Sequence, residues 1–267
     1  MGKTQQIIER RVDELRQNMF VIHQLVIRDK KRSLSSTFMG ELWEVINPLI
    51  NMVVMVLVFG KMFGDGSSSR FPLYVLTGTT IYGLFTSGTT MCLNALMGNK
   101  NFLIKTQLRK NVYVDQKILL AFRNFLFSLM IYAFVIALYR IRPSVTWLLF
   151  IPDILLMLVM MLGIGKILAI INVTFADITY FYKIFTLFLM YGSAIFYRVD
   201  RLSPTMQKCM TILNPLYTVI SIARECVMER MYPNWKLWVI IGVYAVICYI
   251  VGTVVFNRKI EDIVARL

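Results

Sequence analysis

Histidine and charged residues are scarce in this sequence, and their shortage excludes several classes of protein. The 267 residues include one histidine, His23, and four cysteines without a C-x-x-C pair, which excludes a zinc site built from these residue types. Only 16% of the residues are charged and 57% are hydrophobic, whereas roughly a quarter are charged in ordinary soluble domains. Fourteen glycines, seven prolines and no heptad repeat exclude collagenous, disordered and coiled-coil proteins. A water-soluble globular enzyme is excluded too, and the composition predicts an all-α polytopic membrane protein.

The charge that is present is mostly positive. Lys and Arg number 29 against 15 Asp and Glu, which gives a net charge of +14. Such an excess can indicate nucleic-acid binding, but no basic-aromatic motif accompanies it. Basic residues that flank apolar spans hold them on the anionic cytoplasmic leaflet. We therefore interpret the charge as membrane anchoring and expect no nucleic-acid partner.

The first segment has the pattern of an amphipathic helix at residues 4–27. Its apolar positions step by four, three, four, three and four, and a basic cluster follows at residues 28–32. The apolar stripe consists of Ile8, Val12, Leu15, Met19, Ile22 and Val26. Such a helix lies along the lipid interface rather than crossing it. Residues 1–44 are therefore predicted to be a cytoplasmic interfacial helix with a basic connection.

Six apolar segments predict six transmembrane helices within a domain at residues 45–257. The predicted spans lie at about 45–63, 71–97, 117–139, 147–174, 181–197 and 237–256. The second span is rich in glycine, serine and threonine, which let helix backbones approach closely. The polar segment at about 98–116, between the second and third spans, is predicted to be a cytoplasmic coupling segment.

Basic residues set the predicted orientation. Residues 1–44 hold eight Lys and Arg and residues 98–117 hold five, whereas the two short loops on the opposite side hold two each. The positive-inside rule then places both termini in the cytoplasm, with residues 258–267 as a cytoplasmic tail. Arg123 and Lys166 lie inside apolar runs, and we expect both to snorkel to the cytoplasmic interface.

The segment at about 202–232, between the fifth and sixth spans, is moderately apolar but interrupted. Ser203–Pro204 is a helix-start signal, and Asn214–Pro215 ends one helix and starts another. Each piece is too short to cross a hydrocarbon core of about 30 Å. A re-entrant helical hairpin in the outer leaflet is predicted. Cys209 and Cys226 both fall in this segment, so a disulfide between them is one alternative, although unpaired thiols are favoured.

The residues that catalysis requires are missing. The only histidine is isolated, and acidic residues within the spans are few. Gly163–Lys166 lacks the upstream glycine and the Ser or Thr of a phosphate-binding loop. We expect no catalytic, cofactor or metal site in this chain, and an energy source in a separate protein.

Five short motifs together indicate a family. They are Gly40-x-x-Trp43-x-x-x-Asn47-Pro48, Asn101–Lys105, Phe175–Ile178, Ser193–Tyr197 and Leu213–Tyr217. In this order and spacing the chain resembles the permease subunit of ABC-2 type transporters that export teichoic acids, O-antigens and capsular polymers. The resemblance covers essentially the whole chain.

The resemblance implies a homodimeric channel in the bacterial plasma membrane, joined to two copies of a cytoplasmic ATP-binding subunit. ATP and Mg²⁺ would be used by that partner, and the substrate would be a lipid-linked polysaccharide, either wall teichoic acid or an O-antigen-like polymer. The residue sequence of Trp43–Pro48 favours wall teichoic acid.

The resemblance also suggests site residues. The candidates for coupling to the ATPase are Lys100, Lys105, Gln107 and Arg109. Aromatic faces stack on sugars, so the candidates for the substrate pathway are Tyr74, Tyr82, Phe85, Tyr191, Phe196, Tyr197 and Tyr217. Positive-inside anchoring explains the basic residues equally well, and an interfacial belt or core packing explains the aromatic ones.

Three other functions remain open. A permease for drugs or small lipids would have the same architecture. A membrane-embedded glycosyl- or phosphotransferase would need convergent carboxylates or histidines at one membrane face, which the sequence lacks. A pore or scaffold subunit would have no ATPase partner.

Overall fold

The computed structural model of the chain is helical, with turns and no β-strand in the part that it describes. The described residues are 18–29, 31, 46, 49–50, 53–54, 70–105, 109–199 and 202–266. The all-α class is therefore confirmed for this part. The predicted first span at 45–63 lies outside the described residues except for a few positions, as does the predicted helix before residue 18.

Eight named helices follow a helical segment at residues 18–29. They are α1 Phe71–Leu93, α2 Lys100–Lys105, α3 Val112–Leu138, α4 Phe150–Thr174, α5 Ile178–Gly192, α6 Pro204–Leu213, α7 Pro215–Arg224 and α8 Trp235–Arg266. Two 3₁₀ turns, Met97–Asn99 and Val145–Leu149, precede α2 and α4. One π-helical turn, Glu225–Glu229, extends α7.

Three helices among the described residues are long and apolar enough to cross a membrane, namely Val112–Leu138, Val145–Thr174 and Trp235–Ala265. They match the predicted third, fourth and sixth spans. α1 has 23 residues, but its threonines and glycines make it more polar than these three, and it ends at Leu93 rather than at Met97. The structure thus supports the interpretation as a multi-pass helical membrane protein, and the count of six spans stays a prediction.

The predicted fifth span at 181–197 is wrong at its far end. α5 has 15 residues and stops at Gly192, so it rises about 22 Å at 1.5 Å per residue. The Ser193 hydroxyl donates to the Leu189 carbonyl at 2.6 Å, and Asn214 Nδ2 donates to the Gly192 carbonyl at 2.9 Å. These bonds satisfy the last carbonyls of α5, and the chain turns at Ala194, whose φ is 49°.

Among the described helices, α4 and α8 form the closest pair. A Cβ added at Gly163 of α4 would collide with the backbone of Cys248, and one added at Gly252 of α8 would collide with the backbone of Gly163. Glycine at both positions therefore lets the two backbones touch. Because α4 also packs on α1 and α3, it is central among the helices that the structure describes.

Lys166 shows a second difference from the sequence-based expectation. Its side chain is buried on α4, where Nζ donates to Thr253 Oγ1 at 3.0 Å and lies 4.5 Å from the centre of the Tyr249 ring. The expectation that Lys166 snorkels to the interface is wrong because α8 supplies both a hydrogen-bond acceptor and an aromatic face. Asp153, in the first turn of α4, is also fully buried.

The two short helices of the segment at 202–232 begin where the sequence predicts. The Ser203 side chain caps α6 at the Met206 amide, and Asn214 Oδ1 accepts from the Tyr217 amide at 3.1 Å to cap α7. Each helix has 10 residues. Their depth in the membrane stays a prediction. Cys209 is exposed, Cys226 is buried, and both are free thiols, so they form no disulfide.

The segments that flank the spans are joined to the bundle. In the helical segment at 18–29, Ile22, Leu25 and Val26 are buried in the hydrophobic core. Ile22 and Val26 belong to the predicted apolar stripe, so at least these two positions contact protein; an interfacial location stays a prediction. α8 continues to Arg266, so residues 258–266 of the predicted tail at 258–267 extend the last helix.

Candidate functional site

Five of the seven predicted pathway aromatics lie around the turn that follows α5. The Tyr74 hydroxyl on α1 donates to the carbonyls of Tyr197 at 3.0 Å and Ala194 at 3.3 Å. The Tyr197 hydroxyl donates to the Tyr191 carbonyl at 3.0 Å, and the rings of Tyr191 and Phe196 lie 6.3 Å apart. Tyr217 lies in the first turn of α7, where its amide donates to Asn214, and the Asn214 side chain donates to the Gly192 carbonyl at the end of α5. The structure thus brings these aromatics together at one end of the bundle.

Tyr82 and Phe85 lie further along α1, away from that group. The Tyr82 hydroxyl donates to the Thr186 carbonyl on α5 at 3.0 Å, so it joins two helices. Phe85 is buried in the hydrophobic core. Both positions are typical of packing residues, and their role in a pathway stays a prediction.

Arg224 is the residue at this end that sequence reasoning missed. It is 5% exposed, and its guanidinium lies 3.3 Å from the centre of the Tyr74 ring. Nη1 donates to the Ala194 carbonyl at 3.0 Å, and Nη2 donates to the carbonyls of Tyr74 at 3.1 Å and Ile195 at 3.4 Å. An arginine side chain is effectively always protonated in proteins, so Arg224 carries its charge at pH 7. Arg224 thereby holds α7, α1 and the turn after α5 together.

A sequence signal for Arg224 does exist. Leu216 and Ile220 are apolar residues four positions apart after the helix-start signal Asn214–Pro215, and Arg224 follows Ile220 by four positions, which places it on the same helix face. A charged residue on the buried face of a helix is rare unless it is paired or functional. The sequence pattern therefore indicates a paired or functional role for Arg224.

The opposite end of the bundle contains the predicted coupling segment. There, α2 is a six-residue helix, and the last five residues of the predicted segment at 98–116 already belong to α3. Lys100 and Arg109 are exposed at this end. Lys105 ends α2, and Gln107 lies outside the described residues. The coupling role of all four stays a prediction.

A network of charged side chains joins this segment to the helical segment at 18–29. Arg28 Nη2 donates to Asp29 Oδ1 at 2.7 Å and to Asn99 Oδ1 at 2.6 Å. Asp29 Oδ2 accepts from Gln116 Nε2 at 2.5 Å and from Lys117 Nζ at 2.6 Å. The Asp29 carboxylate therefore connects the N-terminal helical segment to the first turns of α3, and Arg28 connects it to the turn before α2.

Burial and hydrogen bonding act in opposite directions on Asp29. Burial raises its pKa, but the hydrogen bonds from Lys117, Arg28 and Gln116 together with the charge of Lys117 outweigh burial and hold the pKa below the ordinary value of 3.8. The carboxylate is therefore charged at neutral pH and its bonds are charge-assisted. Sequence reasoning assigned the basic cluster to membrane anchoring and did not predict this network.

The fold is that of a polytopic helical membrane protein whose helix ends are held by polar networks. Residues 21–228 match the family described as "ABC-2 type transporter", and the chain belongs to this family. The family resemblance inferred from the sequence motifs is thereby confirmed.

Individual relatives are similar to the chain over nearly their full length. The chain is 26% identical to the O-antigen export system permease protein RfbA of Klebsiella pneumoniae, over 86% of this chain and 88% of the relative. It is 23% identical to the protein of the same name from Myxococcus xanthus, over 95% and 97%. It is 20% identical to the polysialic acid transport protein KpsM of Escherichia coli, over 90% and 93%.

Proposed function

We propose that this chain is the membrane-spanning subunit of a bacterial ABC exporter that moves a lipid-linked polysaccharide out of the cytoplasm. The observation that carries the proposal is the near full-length similarity to permeases whose names specify O-antigen export and polysialic acid transport. A drug or small-lipid permease, a transferase and a scaffold have no comparable support.

In this proposal the energy comes from a separate ATP-binding subunit. The sequence has no phosphate-binding loop of its own, so ATP and Mg²⁺ belong to the partner. Two permease copies and two ATP-binding copies form the complex. Apolar side chains of α5 that are 60% or more exposed, Phe181, Phe188 and Tyr180, give the second copy a surface against which to pack.

Coupling would run through the end of the bundle that holds α2. Lys100 and Arg109 are exposed there and suit an acidic groove on the ATPase. A movement of α2 would reach α3 through the bonds of Arg28 to Asn99 and of Asp29 to Lys117. These bonds connect the docking segment to α3 through the N-terminal helical segment, so a displacement of α2 can be transmitted to a spanning helix.

The glycan would leave past the aromatic group at the other end. Tyr191 is 58% exposed, and its ring can stack on a sugar while Tyr197 and Tyr217 supply hydroxyls. Because the positive-inside rule assigns α2 to the cytoplasmic side, this aromatic end faces outward. The relatives' names favour an O-antigen or capsule type of polymer, and wall teichoic acid stays the alternative from the sequence.

Co-purification tests the proposal. The chain is expressed with the ATP-binding subunit from its own genome, purified in mild detergent, and assayed for bound subunit and vanadate-sensitive ATP hydrolysis. We expect stoichiometric complex and turnover. A chain that elutes without any nucleotide-binding partner would contradict the proposal and favour a scaffold.

A charge-reversal pair tests the coupling end. Lys100→Glu with Arg109→Glu should abolish assembly with the ATP-binding subunit, because the two introduced carboxylates would repel an acidic groove. The control is Lys208→Glu, an exposed lysine on α6. Normal assembly by the double variant would remove this segment from the interface.

A further inference from the structure

A cavity of about 600 Å³ lies at the aromatic end of the bundle. Its lining includes six arginines, namely Arg70, Arg140, Arg142, Arg198, Arg224 and Arg230, and a single carboxylate, Glu229. Its volume falls within the range of roughly 300–1,000 Å³ that is common for small-molecule sites. The cavity thus combines the size of a ligand site with a strong excess of positive charge.

These arginines come from segments that are distant in sequence. Arg70 precedes α1, Arg140 and Arg142 follow α3, Arg198 follows α5, and Arg230 follows the π turn after α7. Within the described part of the chain, no carboxylate forms an ion pair with Arg70, Arg140, Arg142 or Arg230. Like charges that face one space repel each other and focus a positive potential in it. An anion in the cavity would relieve that repulsion.

Two of the cavity arginines occupy backbone positions that favour glycine. Arg140 has a φ of 52° and Arg230 a φ of 58°, both in the left-handed region. A non-glycine residue there costs roughly 1–2 kcal/mol, and glycine adopts the same conformation without strain. Arginine at both positions nevertheless places a guanidinium at the cavity wall.

Arg224 supplies a fixed and buried element of the wall. Its two terminal nitrogens are held by three backbone carbonyls, and its Nε has no acceptor among the described residues. A buried donor without a partner is uncommon in folded proteins and often marks a ligand or ion. Because Arg224 is positioned before any ligand arrives, it loses little conformational freedom on binding.

We propose that this arginine cavity binds a phosphate group, as a phosphate monoester or diester. A carboxylate accepts bidentate bonds from one guanidinium, whereas a phosphate offers more oxygens and suits several arginines at once. Tyr74 lies in the lining beside Arg224 and provides an aromatic face for an attached sugar. A phosphorylated glycan is therefore the favoured source, and this choice rests on the proposed export function. A phospholipid headgroup carries the same group and is the second source.

Binding to the purified full-length chain tests the proposal. The probes are a soluble glycerol-phosphate oligomer, inorganic phosphate and neutral maltohexaose, titrated by calorimetry in neutral detergent. We expect the oligomer to bind, its affinity to fall as salt rises, and maltohexaose not to compete. Equal binding of the neutral and charged oligomers, or no binding of either phosphate probe, overturns the proposal.

A double variant assigns the binding to the cavity. Arg140→Gln with Arg230→Gln should weaken oligomer binding at least tenfold, because two of the charges that face the phosphate are lost. The matched control, Arg258→Gln with Lys259→Gln, removes two exposed charges from the far part of α8 and should bind like wild type. Thermal unfolding checks that the double variant folds, and Arg142→Gln alone is a milder test. Unchanged binding by a folded double variant overturns the assignment.

Two further measurements are needed. The first identifies the source of the phosphate, and the second tests the export function independently of phosphate binding. Binding of the oligomer is compared in nanodiscs of phosphatidylglycerol and of phosphatidylcholine. Weaker binding in phosphatidylglycerol indicates that a lipid headgroup competes for the cavity, and equal binding indicates the glycan. Assembly with the ATP-binding subunit is measured on the same variants. Loss of phosphate binding with normal assembly leaves the export function standing, whereas failure of assembly with intact binding refutes export alone.

Discussion

The two ends of the bundle use arginine in opposite ways. At the coupling end, Arg28 pairs with Asp29, and that carboxylate also accepts from Gln116 and Lys117. At the aromatic end, six arginines share one cavity with one carboxylate in its lining. At the first end, Arg28, Asp29 and Lys117 pair with one another and fasten helical segments together. At the second end, four of the six arginines have no carboxylate ion pair in the described part of the chain and place positive potential in the cavity, namely Arg70, Arg140, Arg142 and Arg230.

The difference teaches how to separate structural charge from binding charge. A paired charge fixes the relative position of two elements, so its removal should change stability or coupling. A charge that faces a cavity without a carboxylate partner stabilises little, so its removal should change ligand affinity alone. Arg224 belongs to both groups because it holds three carbonyls and also lines the cavity.

The largest expected effect comes from the helix pair that connects the two ends. Gly163→Ala would push a methyl group into the backbone of α8 at Cys248, which should cost about 3 kcal/mol and impair both ends together. Thermal unfolding in detergent, with assembly and phosphate binding, measures it. The control is Gly242→Ala on α8, where a Cβ has open space. A Gly163→Ala protein that unfolds like wild type would show that α4 and α8 are not in backbone contact.

The next effect in size concerns Arg224. Arg224→Gln removes the charge and leaves carbonyls of Ala194, Ile195 and Tyr74 with fewer donors, which should lower the free energy of unfolding by about 3 kcal/mol. Arg230→Gln changes an exposed side chain and should stay within about 0.5 kcal/mol of wild type. Equal melting temperatures for the two variants would contradict the distinction between a structural and a binding arginine. Differential scanning fluorimetry provides the comparison.

Local sequence patterns predicted much of the helical framework. The long apolar runs that became α3, α4 and α8 need only composition and length to be recognised. The starts of α6 and α7 were predictable because Ser203 and Asn214 are capping residues followed by proline. The end of α5 was not predictable in this way, because Asn214, which lies 22 positions after Gly192, satisfies the last carbonyl of the helix.

The candidate sites depended more on contacts between distant residues. Tyr74 and Tyr197 were predictable as aromatic residues near span ends, but their hydrogen bond joins residues 123 positions apart. Arg70 and Arg230 each read as ordinary loop arginines, and only the fold brings them to one cavity. The same limit applies to Asp29 and Lys117, which are 88 positions apart.

A smaller effect is expected at the coupling end. Asp29→Asn removes the charge that Arg28 and Lys117 neutralise, and the side chains of Asp29 and Lys117 are only 12% and 16% exposed. We expect a loss of about 2 kcal/mol and weaker coupling of ATP hydrolysis to transport, with phosphate binding unchanged. The control is Asp262→Asn, an exposed carboxylate on α8. Altered phosphate binding in Asp29→Asn would show that the two ends are not independent.

The smallest expected effect is a pH dependence from the same carboxylate. Because the pKa of Asp29 is lower in the folded protein than its ordinary value of 3.8, the unfolded chain binds the proton more readily. The stabilisation is fully present above that ordinary value and is lost as the pH falls through the folded pKa. Melting temperatures of wild type should therefore decline more steeply below pH 3.8 than those of Asp29→Asn. Parallel curves for the two proteins would mean that the bonds from Arg28 and Lys117 do not favour the charged form.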